Sequence, residues 1–267
     1  MIDIHSHIIP QVDDGPGSLE TSLEMLEIAV EDGITEIVAT PHILSNLEFQ
    51  REQEILTRFG ELQEAVASKG LPIKLHLGSE IYIEPEIDLN HQIATLGDNG
   101  RYFLIEFPMQ GIPVFAAEHF FRVMMEERTP IIAHPERNAG IIGNPERAAE
   151  FVRRGSLLQV NAGSLTGRFG STVKETALKL LDAHLVHFVA SDAHDTDSRP
   201  PKLQRAYDLV AERLGEEWSR MLFHDNQVRV LRGEPIEPPQ PLPLEERKEK
   251  GLGLRQKIVS WWRGEKD

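Results

Sequence analysis

MIDIHSHIIP, residues 1–10, opens the chain with a strand-like run that ends in two histidines. A β-strand turns successive side chains to opposite faces, so His5 and His7 point the same way. Asp13 and Asp14 follow closely. Two imidazoles aimed at one point, with carboxylates near, are the start of a metal site. Two exposed histidines beside a frayed terminus are the plainer alternative. The remaining strand-like runs decide between them, by what stands at their ends.

Such runs recur at 2–5, 34–40, 73–79, 101–107, 129–134, 157–163 and 187–194. Helical patterns separate most of them. The first covers 18–32, with Ser18 as N-cap, Leu19, Leu23, Leu26 and Val30 as its apolar stripe, and Gly33 as its stop. Others cover 46–69, 113–127, a start near Asn144-Pro145, 172–183, 201–213 and 216–222. Strands alternating with helices predict parallel β/α units, and here a closed or nearly closed α/β barrel. An open doubly wound sheet is the alternative topology, but no Gly-x-Gly-x-x-Gly stretch supports it.

The predicted strand ends carry the chemistry. They hold His5 and His7, then Thr40-Pro41-His42, Ser79-Glu80, Glu106, His134-Pro135-Glu136-Arg137 and Asp192-Ala193-His194, with Asp14 in the first loop. A β/α barrel builds its site from strand ends at one face. Nine candidate ligands therefore converge: His5, His7, Asp14, His42, Glu80, Glu106, His134, Asp192 and His194. Buried charges must pair or bind metal, and these residues have mostly each other. Imidazole and carboxylate without thiolate suit zinc, manganese or iron. Nine ligands exceed one tetrahedral ion, so two or three divalent ions are expected. Clustered ions favour in-line phosphoryl displacement by an activated water.

Bulk composition agrees and excludes. The 267 residues carry a net charge of -15, which disfavours nucleic acid as a partner. There is no cysteine, so no thiolate nucleophile and no Cys-x5-Arg phosphatase. No signal peptide and no membrane-length apolar run is visible, and the body reads as cytoplasmic. From Glu234 the chain changes character. The Pro-rich stretch 234–246 predicts an extended linker between a body at 1–233 and a tail at 247–267. In that tail, 247–263 hold six Lys/Arg against Glu249 alone, and Leu254, Ile258, Trp261 and Trp262 fall near one helical face. A short interfacial helix for the inner membrane surface or for a protein partner fits this pattern. A tail folded back on the body, or a disordered one, is the alternative.

The ordered stretches DIHSHIIPQVDDGP, VATPH, GSEIY, LIEFP, AHPERN and SDAHDTDSRPP span residues 3–201. Together they resemble the PHP superfamily (polymerase and histidinol phosphatase). Within it they are most similar to the metal-dependent tyrosine-protein phosphatases of bacterial capsule and exopolysaccharide loci, the CpsB/YwqE type. The resemblance implies a distorted (β/α)7 TIM-like barrel with a trinuclear centre, most often manganese. His5, His7, Glu80 and Asp192 would hold one ion; Asp14, His42, Glu80, Glu106, His134 and His194 would complete the others. It implies as substrate the phosphotyrosine-rich tail of a polysaccharide-assembly tyrosine kinase. Arg137 and Arg199 would neutralise the phosphoryl oxygens, with surface salt bridges as their plainer use. The phenolate leaving group needs little acid help, since a phenol has a pKa of about 10; Asp14 or a ligand histidine is the proton source to consider. A small-molecule phosphatase of the histidinol-phosphate kind is the alternative, and a non-catalytic scaffold a third reading.

Other polar residues read more plainly. His76 is expected to be a packed histidine, or else a supporting donor near Glu80. Asp13 competes with Asp14, and the family pattern favours Asp14. Asn161 is placed to meet substrate or water. Glu136 either orients Arg137 or touches metal. His91, His119, His184, His187 and His224 read as structural or surface groups.

Overall fold

The computed structural model describes residues 1–44 and 47–244. Its strands are β1 (Ile2–Ser6), β2 (Glu36–Ala39), β3 (His42–Ile43), β4 (Lys74–Leu77), β5 (Glu80–Tyr82), β6 (Tyr102–Glu106), β7 (Thr129–Ala133), β8 (Leu157–Asn161) and β9 (Phe188–Ala190). The helices are α1 (Leu19–Glu31), α2 (Phe49–Lys69), α3 (Ala116–Met125), α4 (Ala139–Gly143), α5 (Glu146–Arg153), α6 (Ala162–Thr166), α7 (Ser171–Asp182), α8 (Gln204–Leu214), α9 (Glu216–Arg220) and α10 (Asn226–Leu231). Short 3-10 turns cover Leu96–Asp98 and Pro135–Arg137, and a π-turn covers Met221–Asp225.

All strand pairs are parallel. One sheet runs β1-β2-β4 and the other β3-β5-β6-β7-β8-β9. The predicted strands 34–40 and 73–79 each break in two, as β2/β3 and β4/β5. Pro41 has no N–H to give a ladder, and Gly78 lies where a Cβ would come within 2.9 Å of Leu96. The break lets both strands pass from one sheet into the other. At the far side, β1 meets the segment after β9. Asp192 N–H donates to the His5 carbonyl at 2.9 Å and His7 N–H to the Ala193 carbonyl at 2.8 Å. The first and last strands are thereby neighbours.

Alternation along β6 sorts side chains into two apolar layers. Leu104 joins Ile2, Ile4, Ile131, Leu157 and Phe188, with Val230 of α10 and Leu96. Phe103 and Ile105 face the helices, with Leu26, Leu62, Phe120 and Leu180. Each such side chain, fully buried, stabilises the fold by about 1.5–3 kcal/mol. Ser18 caps α1, its hydroxyl accepting from Thr21 N at 3.2 Å, as its sequence position predicts. The helix expected from 46 begins at Phe49; residues 45–46 lie outside the described residues.

The start of the Pro-rich stretch is held against the body. The Tyr102 hydroxyl donates to the Glu234 carbonyl at 2.8 Å and accepts from Ile236 N at 3.2 Å. Leu242 N donates to the Ala183 carbonyl at 2.9 Å. Ile236 and Leu244 pack on the core. This part is therefore a strap along the surface, not a free connector. The expected tail at 247–267 lies outside the described residues. Among the described residues, no helix is long and apolar enough to cross a membrane.

Candidate metal centre

The nine residues predicted from strand ends and the first loop come together. Glu80, the first residue of β5, sits at their middle. Its Oε2 lies 3.2 Å from His5 Nε2, 3.3 Å from His7 Nε2 and 3.1 Å from His42 Nδ1. Its Oε1 lies 2.9 Å from His134 Nε2, which is 3.6 Å from Glu106. Asp14 Oδ1 reaches His42 Nε2 at 3.4 Å and His194 Nε2 at 3.2 Å. Asp192 Oδ1 lies 3.5–3.7 Å from His5, His7 and His194.

Backbone geometry aims these groups. β1 pairs Asp3 with Ile37 but Ser6 with Ala39, so it carries one extra residue. Such a bulge re-aims the end of a strand, here the end that bears His5 and His7. His134 and Asp192 adopt positive φ, 30° and 54°. For non-glycine residues this costs on the order of 1–3 kcal/mol each, and it clusters at functional sites. Gly15 is needed for a close approach: a Cβ there would lie 2.5 Å from the His7 carbonyl oxygen. Only glycine lets the first loop fold down so that Asp13 reaches His7.

A ring of partners fixes the imidazoles. Asp13 Oδ2 accepts from His7 Nδ1 at 2.7 Å, and Gln159 Oε1 from His5 Nδ1 at 2.9 Å. The Asp192 carbonyl accepts from His194 Nδ1 at 3.0 Å. With Nδ1 engaged in each ring, Nε2 is the nitrogen that faces the centre and is available to a metal ion.

The arrangement fits metal better than mutual hydrogen bonding. Glu80 Oε2 is buried beside three imidazole nitrogens yet makes no hydrogen bond, and His42 Nδ1 makes none either. Close but misdirected donors and acceptors are what atoms aimed at a common third point look like. Three groups have ligand atoms mutually within 4.8 Å: His5, His7 and Glu80; His42, Glu80 and Glu106; His7, Asp14, His42 and His194. They share Glu80, His42 and His7, as adjacent ions would. His134 and Asp192 border the groups through the contacts already given.

Electrostatics point the same way. Burial opposes the charge on Glu80, but His5, His134 and His42 outweigh it and hold the carboxyl well below its usual range. Burial also opposes charge on His7, yet Asp13 and Glu80 push that ring up to about 10. Burial, then the positive field of His7, brings His194 down to about 4. The cluster thus demands positive charge at its centre, which protons or metal ions can supply.

Arg137 and Arg199 both face Asp192. Arg137 Nη1 donates to Asp192 Oδ2 at 3.0 Å, and Arg199 Nη2 lies 2.6 Å from the same oxygen. Asn161 Nδ2 donates there as well, at 2.6 Å. Asp192 therefore offers Oδ1 inward and is gripped by Oδ2. The arginines are 21 % and 24 % exposed, so each retains a face to the mouth. Asn161 is fully committed: its Oδ1 accepts from Gln159 Nε2 at 2.9 Å, so it braces Asp192 instead of meeting substrate. Glu136 accepts from Asn161 N and Ser164 Oγ, and serves neither of its expected roles. His76 pairs with Glu36 at 2.7 Å on β4, away from Glu80, because the β4/β5 break ends their shared alternation. Asp14 faces the rings and Asp13 supports His7. Gln159 was missed, although it shares a face with Asn161 two residues on, and that spacing could have found it.

Comparison with known proteins places the chain. Residues 1–232 match the sequence model of the family described as "Capsular polysaccharide synthesis, CpsB/CapC". The chain is 37 % identical over 247 residues to the tyrosine-protein phosphatase YwqE of Bacillus subtilis (strain 168), covering 91 % of this chain and 96 % of that protein. It is 34 % identical over 241 residues to the tyrosine-protein phosphatase CpsB of Streptococcus pneumoniae, covering 86 % and 98 %. One solved chain, described under crystal structures of YwqE from Bacillus subtilis and CpsB from Streptococcus pneumoniae, unique metal-dependent tyrosine phosphatases, superposes with a TM-score of 0.83 at 35 % identity, over 92 % of this chain and 100 % of that one. With relatives matched along nearly their whole length and the same fold beneath them, this chain belongs to the CpsB/CapC family.

Proposed function

We propose that this chain is a metal-dependent protein-tyrosine phosphatase acting on a tyrosine kinase that controls capsular or exopolysaccharide synthesis. The observation that carries it is Glu80 Oε2, buried, without a hydrogen bond, and flanked by His5, His7 and His42. The nine residues His5, His7, Asp14, His42, Glu80, Glu106, His134, Asp192 and His194 would hold two to three divalent ions. Manganese is the ion we propose, with iron and zinc as competitors of the same ligand preference. When bound, the ions supply an activated water and neutralise charge on the phosphoryl group.

The chain's own residues do the rest. Arg137 and Arg199, fixed on Asp192, present planar sets of donors that suit phosphoryl oxygens. Asp14 is 61 % exposed, the most open carboxylate of the set, and is the proton source we propose for the leaving oxygen. A phenolate leaves with little help.

The architecture supporting this reading is a distorted (β/α)7 barrel of the PHP type, its two sheets joined through β1 and the segment after β9. We assign residues 1–233 to that body, 234–246 to an extended linker whose described part is strapped to the body, and 247–267 to a basic tail. The proposed setting is the cytoplasm. The tail's charge suits an anionic membrane face, close to where a membrane-bound kinase would present its phosphotyrosines.

The test is turnover of a phosphotyrosine peptide and of histidinol phosphate, with manganese and with EDTA, on one preparation. Peptide turnover that EDTA abolishes is expected. Turnover of histidinol phosphate alone would overturn the tyrosine reading and keep the metal site.

A further inference from the structure

The two arginines on Asp192 come from different loops, Arg137 after β7 and Arg199 after β9. Between them in sequence, α6 follows β8 and ends in a tight turn at 167–170 that carries Arg168 and Phe169. Gly167 and Gly170 both have φ 92°, a left-handed backbone that folds this turn back on α6. The fit is close. A Cβ on Gly163 would lie 3.1 Å from the Phe169 ring and 3.2 Å from Arg168 Cδ. Residues 168 and 169 therefore lie against the first turn of α6, beside the end of β8. From there the Phe169 ring receives Arg137, whose guanidinium carbon is 4.5 Å from the ring centroid. Arg168 donates to the carbonyl of Ser198, the residue before Arg199. One turn thus touches Arg137 directly and the backbone that carries Arg199. Arg168 is exposed and Phe169 half-buried, so neither contributes to the apolar core.

We propose that the 167–170 turn is the positioning element of the phosphoryl site. Phe169 fixes the plane of Arg137, and Arg168 fixes the chain beneath Arg199. Both guanidiniums then meet one oxygen of Asp192 and keep their remaining N–H groups for a phosphoryl oxygen. This rests on the phosphatase reading above. An aromatic face holds a guanidinium through the ring quadrupole, which leucine lacks at similar bulk. A tyrosine at 169 keeps that face.

The experiment uses the full chain loaded with manganese. Binding of inorganic phosphate is read by calorimetry, and hydrolysis of a phosphotyrosine peptide is read as KM and kcat. Phe169→Leu is expected to weaken phosphate binding and raise KM by about tenfold, the scale of a cation–π contact. The fall in kcat should be smaller, manganese content should stay unchanged, and Phe169→Tyr should restore binding. In an Arg137→Ala background Phe169→Leu should cost nothing further. An equal cost in both backgrounds, or loss of metal, overturns the proposal. If Phe169→Leu fails to fold, exposed Arg168→Ala replaces it, and unchanged phosphate affinity there overturns the proposal. Wild-type protein that binds phosphate but hydrolyses nothing overturns the phosphatase reading, while the double-variant comparison still decides the role of the turn. Wild-type protein that binds no phosphate overturns both.

Discussion

At the residue scale, two side chains outside the nine have separable consequences. Asp13 is half-buried against His7 and also accepts from the His42 and Gly15 amides, which with His7 hold its carboxyl at about 2 despite the opposing effect of burial. Asp13→Ala leaves the nine residues in place but frees the His7 ring. It should weaken manganese affinity by about 10- to 100-fold, read by competition with a chelating dye, while the fold persists in circular dichroism. His187 behaves differently. It is fully buried, accepts from Leu158 N at 3.0 Å, and burial depresses it to about 3. The unfolded ring titrates near 6.5, so between about pH 6.5 and 3 the unfolded chain binds the extra proton. The contribution is whole above pH 6.5 and is lost as pH falls, with a slope approaching ~1.4 kcal/mol per pH unit. His187→Asn keeps an acceptor for Leu158 and cannot titrate. Its urea-unfolding stability should fall less steeply between pH 6.5 and 4, and an unchanged slope would remove His187 from the account. Eight of the nine central residues were legible because each stands at the end of an apolar run, where a parallel strand delivers its side chains to one face; Asp14, in the first loop, was legible through the family pattern. The supporting residues were harder to read, because a hydrogen bond such as Gln159 to His5 joins positions far apart in the chain.

At the scale of elements, type was read better than continuity. The seven runs all contain strands, and the helices at 18–32, 113–127 and 172–183 end within a few residues of α1, α3 and α7. The segment 157–163 fails at its end: Ala162 and Gly163 already belong to α6. Likewise 187–194 is strand only over Phe188–Ala190, because Asp192 turns left-handed to face the centre. The run 34–40 gives no local sign of a break before Pro41, and 73–79 none beyond Gly78. In both, a step between sheets decides the outcome, and a step is a property of neighbours. At the Pro-rich stretch, too, neighbours add what composition leaves out. Its composition speaks for extension, and extension is correct, but Tyr102 and Ala183 tie it down.

For the whole molecule, the metals should act as folding ligands as well as reagents. The centre joins β1, β3, β5, β6, β7 and the segment after β9, so no unfolded chain offers it. Manganese at a hundredfold excess over its dissociation constant should add about 2.7 kcal/mol per site. For a chain of this size that is a rise in Tm on the order of 5–10 °C, reversed by EDTA. A Tm indifferent to both would mean the centre does not bind manganese in the folded state. The pairing of β1 with the segment after β9 carries a consequence for how the molecule is made. His5 and His7 leave the ribosome before their neighbours Asp192 and Ala193, which follow almost two hundred residues later. At roughly 5–20 residues per second this is a wait on the order of ten seconds or more. Throughout it β1 is an unsatisfied strand edge, open to other nascent chains. Translation halted before residue 190 would leave a product that has every helix through α7, lacks a finished centre, and keeps that edge exposed to quality control.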